Sequence, residues 1–146
     1  MKFKEKKIGI GCDHAGYDLK ELLKKFLTEN GFNICDFGCN SKESIDYPDF
    51  GHPVAEFVEQ TNSFGIVICG SGNGINMTVN KHKSIRAALC WNEEIAALAR
   101  QHNNANILTL PARFLEDNKV ILIVKTFFST TFEGGRHLNR INKIPC

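Results

Sequence analysis

A run of apolar and small residues, Phe64–Cys69, passes directly into Gly70-Ser71-Gly72-Asn73-Gly74, and this junction constrains the fold more than any other stretch of the chain. A continuous β-rich run bounded by glycines suits a strand covered on both faces, as in a parallel sheet. Parallel strands cannot be joined by tight turns, so crossover helices must stand between them.

The rest of the chain supplies those elements. Lys7–Cys12 reads as a strand, and Leu19, Leu22, Leu23, Phe26 and Leu27 then recur at helical spacing until Asn30-Gly31 stops them. A second strand is expected over about 32–37 and a helix over 53–60, with Pro53 in its first turn. Helical spacing after Gly74 leads to a fourth strand at 85–90, an alanine-rich helix at 93–102 and a fifth strand at 106–110. The segment 114–128 mixes the strand propensity of Val120 to Val124 with a length and leucines that favour a helix. We read it as a helix, buried in the core or against another subunit. The basic tail, about 130–146, is expected to be helical and to lie at a subunit interface. Repeated β-α units give one α/β domain over 1–146: a Rossmann-like open parallel sheet of five strands with helices on both faces.

Composition removes several classes of function. The 146 residues carry a net charge of +2 with both signs interspersed, so a nucleic-acid stripe is not indicated. Lys2, Lys4, Lys6 and Lys7 cluster, but Glu5 interrupts them, and a solvated start is the simpler reading. The longest apolar run, Val120 to Val124, is too short to span a bilayer, and no signal peptide follows the basic start. We expect a cytoplasmic protein whose six cysteines are reduced and mostly buried. Cys35 and Cys39 stand four apart with no partner pair, too little for a zinc site.

Ligands in open α/β sheets bind beyond the carboxyl ends of the strands. That rule selects Asp13 and His14, the stretch from Cys69 to Gly74, the stretch from Cys90 to Asn92, and Pro111 to Arg113. Three alternating glycines let backbone wrap an anion, either a phosphate or an oxyanion formed during reaction. Asp36 closes the second strand as a ribose-binding acid would in a dinucleotide fold. However, Gly9, Gly11 and Gly16 do not form G-x-G-x-x-G, nor do Gly70, Gly72 and Gly74, and no P-loop is present. Cys69 stands at a strand end before a helix, where a thiolate could serve as base or nucleophile, or a thiol simply be buried. Asp13-His14 could act in acid/base work or form a turn. His102 could favour a helix dipole, and Arg136 and Arg140 would share one helical face able to fork around a phosphate.

Six motifs occur in order: Gly11-Cys12-Asp13-His14-Ala15-Gly16, Asp46-Tyr47-Pro48, Cys69-Gly70-Ser71-Gly72-Asn73-Gly74-Ile75, Asn80-Lys81 with Ile85-Arg86-Ala87-Ala88, His102-Asn103-Asn104-Ala105-Asn106, and Glu133-Gly134-Gly135-Arg136-His137 with Arg140. In this combination nearly the whole chain resembles the type B ribose-5-phosphate isomerases, a family that also includes allose-6-phosphate isomerase and the galactose-6-phosphate isomerase subunits. The resemblance implies an aldose-ketose isomerase in which Cys69 moves a proton between C2 and C1, with Ser71 hydrogen-bonded beside it. Backbone N–H groups of the loop Gly70, Ser71, Gly72, Asn73 and Gly74 would hold the cis-enediolate. His102 and Asp13 are the implied ring-opening residues, Tyr47 and Asn103 would touch sugar hydroxyls, and His14, Arg113, Arg136 and Arg140 would hold the phosphate. The family builds this site from two subunits, so a homo-oligomer, dimer or dimer of dimers, is implied. No cofactor and no metal is needed for the proton transfers.

Two departures bear on this reading. One branch of the family replaces the cysteine with a glutamate after the glycine loop; that later position here is Ile75, which leaves Cys69 as the base. Pro111 stands where many relatives have glycine, just before Arg113. The alternatives are an isomerase of a six-carbon sugar phosphate, or a non-catalytic phosphate- or nucleotide-binding module that would need neither Cys69 nor His102.

Overall fold

A computed structural model describes residue 3 and residues 5–146; Lys2 and Lys4, half of the basic start, lie outside the described residues. In chain order the elements are β1 (Lys7–Cys12), a short 3-10 turn (His14–Gly16), α1 (Tyr17–Glu29), β2 (Asn33–Asp36), α2 (Pro48–Thr61), β3 (Phe64–Cys69), α3 (Asn73–Val79), β4 (Ala87–Leu89), α4 (Glu93–Gln101), β5 (Ile107–Pro111), α5 (Asp117–Phe127) and α6 (Arg136–Ile141). The five strands pair in parallel in the order β2-β1-β3-β5-β4. β3 is central, and all six of its residues are buried, as its unbroken apolar run requires.

Alternation along β3 divides the core. Ile66 and Ile68 join the layer beneath α1, α4 and α5, where Leu23, Leu27, Ala96, Val120 and Phe127 are buried. Val67 and Cys69 face the other layer, against Val54 and Val58 of α2 and Ile75 and Val79 of α3. Helices therefore cover both faces, as the β-α alternation implied. In 114–128 the helical reading holds for Asp117–Phe127: Val120, Ile123, Val124 and Phe127 are buried at i, i+3, i+4 and i+7, a period no strand can present to one face.

Boundaries shift where tertiary contacts outweigh local signals. α2 begins at Pro48, not Pro53, because the Phe50 and Gly51 N–H groups already donate to the Tyr47 carbonyl (3.1 and 3.0 Å). Pro53 then sits inside the helix, which stays intact because Gly51, Val54, Ala55 and Val58 pack as one face. β4 shrinks to three residues, since this edge strand has only β5 to pair with. α4 stops at Gln101: Asn104 adopts φ +45°, and the Ala105 N–H reaches back to the Ala99 carbonyl (3.0 Å), a left-handed helix end.

Two buried cations pin the two edges of the sheet. Near the carboxyl ends, Lys20 of α1 is fully buried and its Nζ donates to both Asp36 oxygens (2.9 and 2.7 Å) and to Glu21. Burial alone would push the Asp36 carboxyl up, but bonds from Lys20, from Lys24 and from the Gly38 N–H outweigh it and hold it below the usual carboxylate value. Asp36 is thus committed to this network and not offered to a ribose. Near the amino ends, the buried Arg100 guanidinium lies 5.1 to 5.7 Å from the ring centres of Phe3, Phe64 and Phe127. It donates to the Asn104 side chain (3.0 Å) and to the carbonyls of Ala105 and Thr130. Burial first, then the charge of Arg86, push it down to about 10, so it remains a cation at neutral pH.

Candidate active site

Cys69 is the last residue of β3, 4% exposed, level with Pro111 at the end of β5. The Ala112 N–H donates to the Cys69 carbonyl (2.9 Å) and the Arg113 N–H to the Gly70 carbonyl (3.0 Å), so the strand ends are knotted together. This places the Arg113 guanidinium against the glycine loop: a Cβ added to Gly70 would meet Arg113 Nη1 at 3.1 Å. Pro111 in the strand is compatible with that aim.

The loop itself is shaped by close approach. Gly72 has φ +78°, and a Cβ there would lie 2.4 Å from Leu89. A Cβ at Gly74 would lie 2.4 Å from Tyr47 Cζ, so the Tyr47 ring rests on the loop. Among the described residues the N–H groups of Gly70, Ser71 and Gly72 donate to no backbone group, and α3 has no side-chain cap at its start. Donors held this way can meet a developing oxyanion. The Ser71 hydroxyl accepts from the Asn73 N–H (3.3 Å); its partner here is that backbone group, not Cys69. Ile75 is fully buried in the core next to Cys69, an apolar neighbour with no proton to exchange.

Asp13 follows β1 directly and caps the next turn, its Oδ1 accepting from the Ala15 and Gly16 N–H groups (3.0 and 3.3 Å). The Ile45 N–H donates to His14 Nδ1 (3.1 Å), which leaves Nε2 to carry the proton of the neutral ring. Asp13, His14 and Tyr47 together line an open pocket of about 570 Å³. The carboxyl edge therefore unites Asp13, His14, Tyr47, Cys69, the loop from Gly70 to Gly74, and Arg113.

His102, Asn103, Arg136 and Arg140 lie elsewhere. His102 caps α4 and Asn103 follows it, both just before β5, at the amino edge of the sheet. α6 joins them there: the Glu133 N–H donates to the Gln101 carbonyl (3.0 Å), and His137 stacks on His102 with ring centres 4.2 Å apart. Arg136 and Arg140 are exposed on this short helix, one turn apart. The five residues of β5, at about 3.3 Å each, put roughly 15 Å between the two edges. The four residues therefore do not meet Cys69 of the same chain.

Sequence reasoning gave no role to Arg86 and Arg100, which hold the His102 turn. Arg86 donates to the carbonyls of Asn103 and Asn104 (3.1 and 3.0 Å), opposite the grip of Arg100. A charged residue in the alanine-rich stripe of α4 is the one signal that could have marked Arg100.

The fold and this carboxyl-edge constellation define a Rossmann-like domain with a thiol, an oxyanion-type loop and a cationic clamp, the equipment of a proton-transfer enzyme acting on an anionic substrate. Residues 8–144 match the family described as Ribose/Galactose Isomerase, and the chain belongs to that family. It is similar to the ribose-5-phosphate isomerase B of Escherichia coli, with 39% identity over 142 residues covering 97% of this chain and 95% of the relative. Among solved structures, the Clostridium thermocellum ribose-5-phosphate isomerase B superposes with a TM-score of 0.93 at 48% identity, covering 94% of each chain. The Mycoplasma genitalium ribose-5-phosphate isomerase B with bound ribulose-5-phosphate superposes with a TM-score of 0.91 at 46% identity, covering 94% of this chain and 93% of that one.

Proposed function

We propose that the chain interconverts ribose 5-phosphate and ribulose 5-phosphate. The observation that carries this reading is the union of Cys69, unpaired loop N–H groups and the Arg113 guanidinium at one strand end, in a chain 46% identical to a relative solved with ribulose-5-phosphate. In the open-chain sugar, the Cys69 thiolate takes the proton from C2 and returns it to C1, and the N–H groups of Gly70, Ser71 and Gly72 hold the enediolate oxygen between these steps. His102 and Asp13 open the furanose ring. Asp13 works through Oδ2, since Oδ1 is engaged by its turn. Tyr47 and Asn103 contact hydroxyls, and the phosphate rests on His14 Nε2, Arg113, Arg136 and Arg140.

The separation of the two edges supports a site assembled between copies of the chain. One copy contributes its carboxyl edge and the other its amino edge, in a homodimer or dimer of dimers, with α6 at the interface and the exposed Trp91 and Phe114 available for burial. We place the enzyme in the cytoplasm; among the described residues no helix is long and apolar enough to cross a membrane.

Turnover on ribose, allose and galactose phosphates, compared by kcat/KM, tests the assignment. The expected preference is for the five-carbon substrate, and a higher kcat/KM for either six-carbon phosphate would overturn it.

A further inference from the structure

His102 has two chemically active neighbours at the amino edge. The His137 ring stacks on it with 12° between the planes, and His137 Nε2 lies 3.5 Å from Glu133 Oε2. One donor atom from each of His102, Glu133 and His137 lies within 4.8 Å of the other two. Among the described residues, neither Glu133 nor His137 has another oppositely chargeable side chain within 4.0 Å, so each faces the other.

We propose that His102, Glu133 and His137 are the three protein ligands of a site for one divalent zinc-like ion, and that filling it inhibits the enzyme by withdrawing His102 from the sugar ring. The first half rests on the three donor atoms brought together at this edge and on a rotation of His102; the second rests on the ring-opening role proposed for His102. Two imidazoles and one carboxylate, with a fourth position left for water, form a ligand set that suits zinc and its borderline neighbours cobalt and nickel. Calcium and magnesium prefer oxygen ligands throughout.

The scaffold is held on both sides. The Glu133 N–H donates to the Gln101 carbonyl (3.0 Å), one residue before His102, and Arg100 grips the Thr130 carbonyl (3.2 Å) of the same segment. His137 is 7% exposed and thus fixed, whereas Glu133 is open to solvent and offers a way in. Tetrahedral bonds of about 2.0 to 2.2 Å place neighbouring ligand atoms roughly 3.3 to 3.6 Å apart. The Glu133 to His137 edge already has that length. His102 must close the remainder, and it cannot do so while stacked, because a metal sits in the plane of each ring and two stacked rings have no such point in common. Coordination therefore rotates His102 out of the stack, which is the physical basis of inhibition.

The test titrates cobalt(II), then zinc, into the Cys69→Ala chain, which lacks the thiol at the other edge. One cobalt per chain is expected, with the strong visible absorption of a four-coordinate ion, without the near-ultraviolet band that a thiolate ligand adds, and displaced by zinc. Adding Glu133→Gln or His137→Gln should weaken binding by at least about tenfold, the loss that follows even from removing a ligand's supporting partner. Glu133 is exposed, so the Glu133→Gln chain should keep the parent's Tm and circular dichroism. No binding, a thiolate band, or equal affinity in Glu133→Gln would overturn the site. In the chain with Cys69 intact, zinc should inhibit isomerisation and Glu133→Gln should raise the inhibitory concentration about tenfold. Unchanged inhibition would overturn the second half of the proposal. Failure of the isomerase assignment itself would show as no turnover without zinc, while the metal titration gives its own answer.

Discussion

The carboxyl and amino edges of the sheet solve one physical problem in two ways. Each carries half of the candidate site and each is braced by a buried cation, but Lys20 is neutralised by a carboxylate, whereas Arg100 is surrounded by carbonyls and three phenylalanine rings. A paired carboxylate titrates and a carbonyl does not. The edge that holds Cys69 is therefore tied to an acid-sensitive brace, and the edge that holds His102 to one that is indifferent to acid.

The largest effect expected is on chemistry at the carboxyl edge. Cys69→Ala should lower kcat by about 10³-fold, within the range for loss of a general base, with KM little changed. Retained turnover in a direct assay would remove Cys69 from the mechanism. On stability, Asp36→Asn should cost about 3 to 5 kcal/mol in chemical denaturation, because it leaves the Lys20 ammonium buried with its main partner gone. The pH dependence has a definite sign. Asp36 in the folded chain lies below its unfolded value of 3.8, so its stabilisation is present above that pH and is lost as pH falls through the folded value. Wild type should lose stability steeply in acid, and Asp36→Asn should flatten that slope. An equally steep slope in the variant would place the acid-sensitive group elsewhere.

Joining the edges gives the next prediction. Mixed Cys69→Ala and His102→Gln chains should recover about a quarter of wild-type activity, since half of randomly assorted dimers are hybrids and each hybrid holds one intact site. No recovery after verified subunit exchange would mean that the two edges do not share a site. Arg136→Ala should raise KM for the phosphorylated sugar about tenfold with a smaller change in kcat, as loss of a charge-assisted phosphate contact predicts. The smallest effect is expected from Gly74→Ala, whose new methyl group would push the Tyr47 ring away and raise KM a few-fold, with stability within about 1 kcal/mol of wild type in chemical denaturation.

Much of the carboxyl edge was legible because its residues are local in sequence. Asp13-His14 and the stretch from Cys69 to Gly74 each follow directly from a strand, and the topology rule for parallel sheets brings such positions together whatever the details. Ser71 shows the limit: the family resemblance implied a bond to Cys69, and the hydroxyl instead accepts from the Asn73 N–H, because a hydroxyl two residues before an N–H closes a turn of its own. α2 shows the same competition at larger scale, starting at Pro48 since its buried face extends past the proline that looked like a start.

The sequence by itself determined the β-α alternation, the central strand, the thiol at its end and the glycines after it, since side-chain period and backbone freedom are local properties. Only the tertiary structure decided that β5 inserts between β3 and β4, that Arg113 lies over Gly70, and that His102 shares its edge with Glu133 and His137 and not with Cys69. Those outcomes depend on which layers bury which faces and on where each crossover returns, and no single segment contains that information.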